Sequence, residues 1–89
     1  MIRKTITIVN RLGLHARAAS VFVKTANSFE AKIAVSSSQK HADGKSIMAV
    51  MMLEAACGKE LSIAADGPDE KEALNSLVSL IKNRFGESI

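Results

Sequence analysis

In the stretch "GLHARAAS", His15 is followed two positions later by Arg17 and preceded two positions earlier by Gly13. An imidazole ring can act as a nucleophile near neutral pH, and a guanidinium offers a planar fork that matches phosphate oxygens. If a helix starts just after His15, its first turn presents backbone N–H groups without helical partners and a partial positive charge, so an anion there is stabilised. The same field disfavours imidazolium and favours the neutral, nucleophilic ring. Gly13 lets the turn approach closely. Together these residues describe a ring that can accept a phosphoryl group and a cradle that can hold the oxygens.

Other roles compete for His15. Metal binding has little support. The remaining soft ligands, His41 and Cys57, are distant in sequence and at no zinc-like spacing, so no metal site is expected. Histidine is not a favoured helix cap, and a place before an alanine-rich helix suggests a loop edge more than a core. From position alone, capping and burial remain open beside the reactive role.

The elements that must position His15 follow from periodicity. "TITIV" alternates and is β-branched, so residues 2–9 are predicted as a strand, with Lys4 marking a frayed or edge start. "NRLG" is a turn. Ala16, Ala19, Phe22, Val23 and Ala26 repeat at helical spacing, which predicts an amphipathic helix over 16–27. "EAKIAVS" is a second strand, "SSQK" a turn and "KHAD" a short third strand. Ser46 is a good N-cap for a brief second helix carrying Ile47, Val50 and Met51, with Gly58 as its stop. "KELSIAA" gives a fourth strand. "DGPDEKEAL" starts the last helix, with Pro68 in its first turn, acids at its positive end and a core stripe of Leu74, Leu77, Val78, Ile81 and Phe85. This order predicts an α+β domain in two layers, an antiparallel sheet with helices on one face.

Composition narrows the class. With 89 residues and 47% hydrophobic content, the chain is expected to form one domain, 1–89, with one core. It has no apolar run long enough for membrane insertion, and "MIRKTITIV" does not read as a secretory signal. One cysteine excludes an internal disulfide and fits a reducing, cytoplasmic setting. Residues 1–45 carry eight Lys/Arg against two acids, whereas 46–89 carry four against seven, within a net charge of +3. A basic half fits an anionic ligand or a partner with an acidic surface.

"GLHARAA" resembles the active-site signature of the HPr family, the histidine-containing phosphocarriers of the bacterial phosphotransferase system. "GKSIM" resembles that family's second signature and "ADGPDEKEAL" its approach to the last helix, so the likeness runs along essentially the whole chain. It implies an open-faced β-sandwich with a four-stranded antiparallel sheet and three helices. It implies that His15 takes a phosphoryl group on Nδ1 from phosphorylated enzyme I and passes it to enzyme II A-type domains. In that role Arg17 pairs with the phosphate and the N–H groups of Ala16 and Arg17 complete the cradle. No cofactor is implied, and the working unit is expected to be a monomer. One departure is Ala18, where the family usually has proline; a slightly looser first turn is expected.

The resemblance also implies a regulatory site and a docking surface. In some lineages the serine at the position of Ser46 is phosphorylated by a dedicated kinase, which blunts transfer through the histidine. Docking of enzyme I and of the acceptors carries over to Arg17, Ser20, Lys24, Ile47, Met48 and Met51. His41 is expected in a solvated strand or turn, and Cys57 partly buried near a helix end.

Rival functions remain distinguishable. An RNA-binding module of similar topology needs stacking aromatics, but only Phe22, Phe29 and Phe85 are present, with no Tyr or Trp, so no nucleic-acid partner is expected. A small ligand-binding regulatory domain would not need the histidine–arginine frame. An autonomous enzyme would need a nucleophile–base pair, a metal site or a nucleotide loop. Within the family, "LEAACGKELSIAADGPDEKEAL" and "NRFGES" look somewhat like the nitrogen-related carriers, whose role is purely regulatory, whereas Ser46 looks more like the sugar-uptake branch.

Overall fold

The computed structural model describes residues 1–89. Strand β1 (Ile2–Thr7) is followed by helix α1 (Ala16–Asn27), strands β2 (Lys32–Ser37) and β3 (Lys40–Asp43), the short helix α2 (Ile47–Met51), strand β4 (Glu60–Asp66) and helix α3 (Glu70–Lys82). A 3-10 turn, Arg84–Gly86, closes the order. The strands form one antiparallel sheet in the order β1-β4-β2-β3. The α+β architecture predicted from the sequence is therefore present, and β1 is an edge strand, as Lys4 suggested.

Alternation decides which sheet face is covered. Ile33 and Val35 of β2, and Leu61, Ile63 and Ala65 of β4, are buried, whereas Lys32 and Ala34 between them are exposed. The helices pack on the apolar side. Phe22 and Ala26 of α1, Val50 of α2, and Leu77 and Ile81 of α3 are all 0% exposed in one core cluster. Full burial of each large side chain among these is worth about 1.5–3 kcal/mol. The other sheet face stays open and carries Arg3, Lys32, Ser36, His41 and Ser62.

Several boundaries differ from expectation for local reasons. β1 stops at Thr7 because Ile8 leaves the sheet register to exchange backbone bonds with the loop before β4: Ile8 N–H donates to the Lys59 carbonyl (2.9 Å) and Gly58 N–H to the Ile8 carbonyl (2.8 Å). Gly58 thus belongs to that turn and does not stop α2, which has already ended at Met51 with Met52 as its C-cap. Pro68 lies in the turn ahead of α3, whose N-cap is Asp69. Instead of capping, the Asp69 carboxylate accepts from the N–H groups of Glu30 (2.9 Å) and Ala31 (2.8 Å), tying the start of α3 to the entry of β2. The Glu30 N–H bond is the main reason its carboxyl is held below the usual aspartate range. Phe85 is buried as expected, but not on the helix. It sits in the turn with a left-handed φ of 55°.

Candidate functional site

His15 is the N-cap residue of α1, in extended conformation (φ −80°, ψ 179°), and its carbonyl accepts from Ala19 N–H at 2.8 Å. Its side chain makes no capping bond. Its ring is partly exposed at 28%, so neither the cap nor the core reading describes it. The first-turn N–H groups of Ala16, Arg17 and Ala18 have no carbonyl one turn back to bond, and they point out of the start of α1. Ala16 and Arg17 are exposed, whereas Ala18 packs its methyl into the core at 0% exposure.

The loop entering His15 is fixed from below. Gly13 adopts a left-handed φ of 69°, and a Cβ there would meet the Ala55 carbonyl oxygen at 2.8 Å and Ala56 Cα at 2.9 Å. Only glycine fits both the dihedral and the approach. The next residue, Leu14, donates its N–H to that same Ala55 carbonyl at 2.8 Å. Asn10, 0% exposed, braces the loop from inside through Nδ2, which donates to the Gly13 carbonyl at 2.8 Å.

Sequence reasoning missed the partner of the ring. His15 Nε2 is hydrogen-bonded to Glu87 Oε2, and the other oxygen of that carboxylate accepts from Asn10 Nδ2 at 2.9 Å. The Asn10 bond, then the His15 bond, hold the Glu87 carboxyl below the usual range, with the charges of His15 and Arg17 adding to it and burial opposing it. An ionised carboxylate only accepts, so the Nε2 that faces it donates, and in a neutral ring so held Nδ1 is the nitrogen with the free lone pair. Glu87 reaches the site because Arg84, Phe85 and Gly86 all have positive φ (57°, 55° and 82°) and reverse the chain after α3. Arg11 N–H, donating to the Ile89 carbonyl at 3.2 Å, holds the segment beyond. No periodicity links residues 72 apart in sequence. The only local signal is a glycine and a carboxylate just past a helix end.

The other anticipated residues fall into two groups. Arg17 is exposed in the first turn of α1, close enough for its charge to favour the ionised Glu87 carboxylate, and Ser20 and Lys24 continue the exposed side of α1. Ser46 caps α2, its Oγ accepting from Ala49 N–H at 3.3 Å. On α2, Ile47 and Met48 are exposed, but Met51 is half-buried against the core; Met52 is the second exposed methionine, because helical spacing turns Met51 inward beside Val50. Leu12, 64% exposed, adds a further apolar side chain on the loop before His15. His41 is exposed on β3. Cys57 is exposed in the turn ahead of β4, not partly buried at a helix end, because α2 finishes earlier than its sequence suggests. No group of three His, Cys, Asp or Glu side chains is placed to share a metal ion, and no helix is long and apolar enough to cross a membrane.

A four-stranded open sheet with three helices and an accessible histidine at a helix N-terminus defines the class of small histidine phosphocarriers. The model of the PTS HPr component phosphorylation site matches residues 2–83. The chain is 46% identical over 87 residues to the phosphocarrier protein HPr of Cupriavidus necator, covering 98% of each, and 53% identical over 83 residues to that of Pseudomonas aeruginosa, covering 92% of each. Among solved structures it resembles an HPr from Thermoanaerobacter tengcongensis (TM-score 0.95, 44% identity, all of both chains) and one from Bacillus anthracis (TM-score 0.86, 35% identity, 90% of this chain and 95% of that one). The chain belongs to the HPr family. Its members are phosphocarriers of the phosphotransferase system, not autonomous catalysts, which agrees with the resemblance carried by "GLHARAA".

Proposed function

We propose that this phosphocarrier takes its phosphoryl group on His15 Nδ1 from phosphorylated enzyme I and delivers it to enzyme II A-type domains. The observation that carries the reading is an accessible imidazole, uninvolved in capping, at the open start of α1. The Nδ1 lone pair forms the new N–P bond while the donor's N–P bond breaks, its electron pair staying on the donor nitrogen. The first-turn N–H groups of Ala16 and Arg17 and the Arg17 guanidinium stabilise the oxygens, and positioning with electrostatics is most of what such a transfer asks of a protein.

Arg17, Ser20, Lys24, Ile47 and Met48 form the docking surface in this reading, with Met52 in the place first given to Met51. The cations match a partner with an acidic surface and the methionines adapt to more than one partner. The working unit is one domain acting as a monomer in the cytoplasm, because two partners must reach His15 in turn. A kinase acting on Ser46 would add charge inside this surface, which disfavours docking to an acidic partner. The test is phosphotransfer from phosphoenolpyruvate through enzyme I, followed by 31P NMR. An acid-labile phosphohistidine signal that is absent in His15→Ala supports the reading; no signal with a competent cognate enzyme I overturns it.

A further inference from the structure

We propose that Glu87 is the positioning residue of the phosphoacceptor, holding His15 by Nε2–H so that Nδ1 faces the incoming phosphoryl group. The proposal rests on the carrier reading above and goes beyond it by assigning a role to a side chain outside the "GLHARAA" and "GKSIM" signatures. Three independent observations converge on Glu87. Both of its carboxylate oxygens are engaged, one by the ring and one by the buried Asn10 amide. Asn10 is itself fixed, because both groups it donates to, Glu87 Oε1 and the Gly13 carbonyl, are pure acceptors, which settles which end of its amide faces them. The segment that carries Glu87 is held in two consecutive non-glycine left-handed residues, Arg84 and Phe85, a conformation that persists only where surrounding contacts enforce it. Those contacts are the buried Phe85 ring, the bond from Arg11 to Ile89 and the Glu87 carboxylate itself.

The consequence for the transfer is electrostatic as well as geometric. When Nδ1 forms its bond to phosphorus, Nε2 keeps its proton and the ring becomes cationic. The charged group bonded to it is the Glu87 carboxylate, while the Arg17 guanidinium, whose charge also reaches Glu87, is assigned to the phosphate oxygens in the reading above. Glu87 therefore neutralises the phosphorylated ring without leaving its place, and no proton has to move during the transfer. A ring orienter of this kind acts through the histidine and touches neither donor nor phosphate.

Glu87→Gln and Glu87→Ala separate the two parts of the role. Glutamine can still accept from Nε2–H but carries no charge; alanine removes both. Two readouts are made on the full chain: the His15 ring 15N–1H signals by NMR, and the rate of phosphorylation by phosphorylated enzyme I. The wild type is expected to give a slowly exchanging Nε2–H signal. Glu87→Gln keeps it, with slower phosphorylation. Glu87→Ala loses it and is phosphorylated on the order of tenfold more slowly, by analogy with the lower range found when a metal-bound histidine loses the partner that orients it. Wild-type phosphorylation with an unchanged rate in Glu87→Ala overturns the role of Glu87. A wild type that takes no phosphoryl group overturns the carrier reading instead. Melting curves of both variants, expected to fall modestly as the Asn10 and His15 contacts of Glu87 are lost, set a temperature at which every variant is folded, and rates compared there separate a changed ring from a changed fold.

Discussion

Asn10 and Glu87 are separated by 77 positions in the chain and by 2.9 Å in space. One amide nitrogen thereby joins the loop before α1 to the turn after α3, and His15 is held between them. The site is built by three connections that have nothing to do with helix or strand: this bond, the Leu14–Ala55 bond and the Arg11–Ile89 bond.

Replacing Asn10 by alanine strips the donor from two acceptors, the Gly13 carbonyl and Glu87 Oε1. Leaving buried partners unpaired costs about 1–3 kcal/mol. Urea unfolding of Asn10→Ala should show that loss, and the His15 ring signals should broaden as Glu87 gains freedom. Asn10→Asp should be worse, since it places a second carboxylate against Glu87.

Gly13→Ala meets two penalties at once, a left-handed dihedral and contact with Ala55 and Ala56 below 3 Å. Together these should remove roughly 2–4 kcal/mol. For a chain of this size each kcal/mol lowers the melting temperature by about 4–8 °C. Calorimetry of the variant checks this, and a melting point within 2 °C of the wild type, on the order of experimental scatter, would sink the account of the turn.

Acid should weaken the fold in a window set by three carboxylates. Asp69, Glu70 and Glu87 are each held below their ordinary range: Asp69 chiefly by Glu30 N–H, Glu70 chiefly by Gly67 N–H, and Glu87 chiefly by Asn10. A depressed folded value means that the native state binds fewer protons than the unfolded chain. Their contribution is complete above the ordinary carboxylate value of about 4 and is lost as the pH falls through the lower folded values. Denaturation midpoints measured from pH 6 down to pH 2 (about two units either side of that value) should fall on the acid side, and the fall should be shallower in Asp69→Asn.

Ser46→Ala should destabilise by about 1 kcal/mol, the usual worth of an N-cap. Ser46→Asp retains a capping oxygen and adds charge at the favourable end of α2, so its stability should match the wild type. In the proposed docking surface, however, the aspartate should raise the KM for phosphorylated enzyme I. An unchanged KM would remove Ser46 from that surface.

What was legible in the sequence was what local periodicity encodes. The limits of α1, its buried Phe22 and Ala26, the short β3 and the Ser46 cap all agree with the pattern, because each is set by neighbours within a few residues. The place of His15 and Arg17 at the start of α1 was legible because the turn and the helix signals adjoin them. Strand order was not readable from alternation, which says which face is buried but not which strand lies beside which. The end of β1 and the role of Gly58 depend on each other through the Ile8 bonds across half the chain. Phe85 falls in step with the stripe of α3, yet two left-handed residues take it off the helix while keeping it buried. Glu87 was invisible for the same reason, since its partner is chosen by that reversal.

That reversal also sets the order in which the site can come into being. A ribosome makes His15 long before Glu87, which lies 72 positions further on. A nascent chain therefore displays its imidazole with no carboxylate behind it while most of the sheet is still being made. The ring gains its partner only when the segment past α3 folds back onto the loop at Asn10. If His15 and Glu87 act as proposed, readiness to carry the group is a late event in the life of the polypeptide, conferred by closing the two ends of the fold on each other.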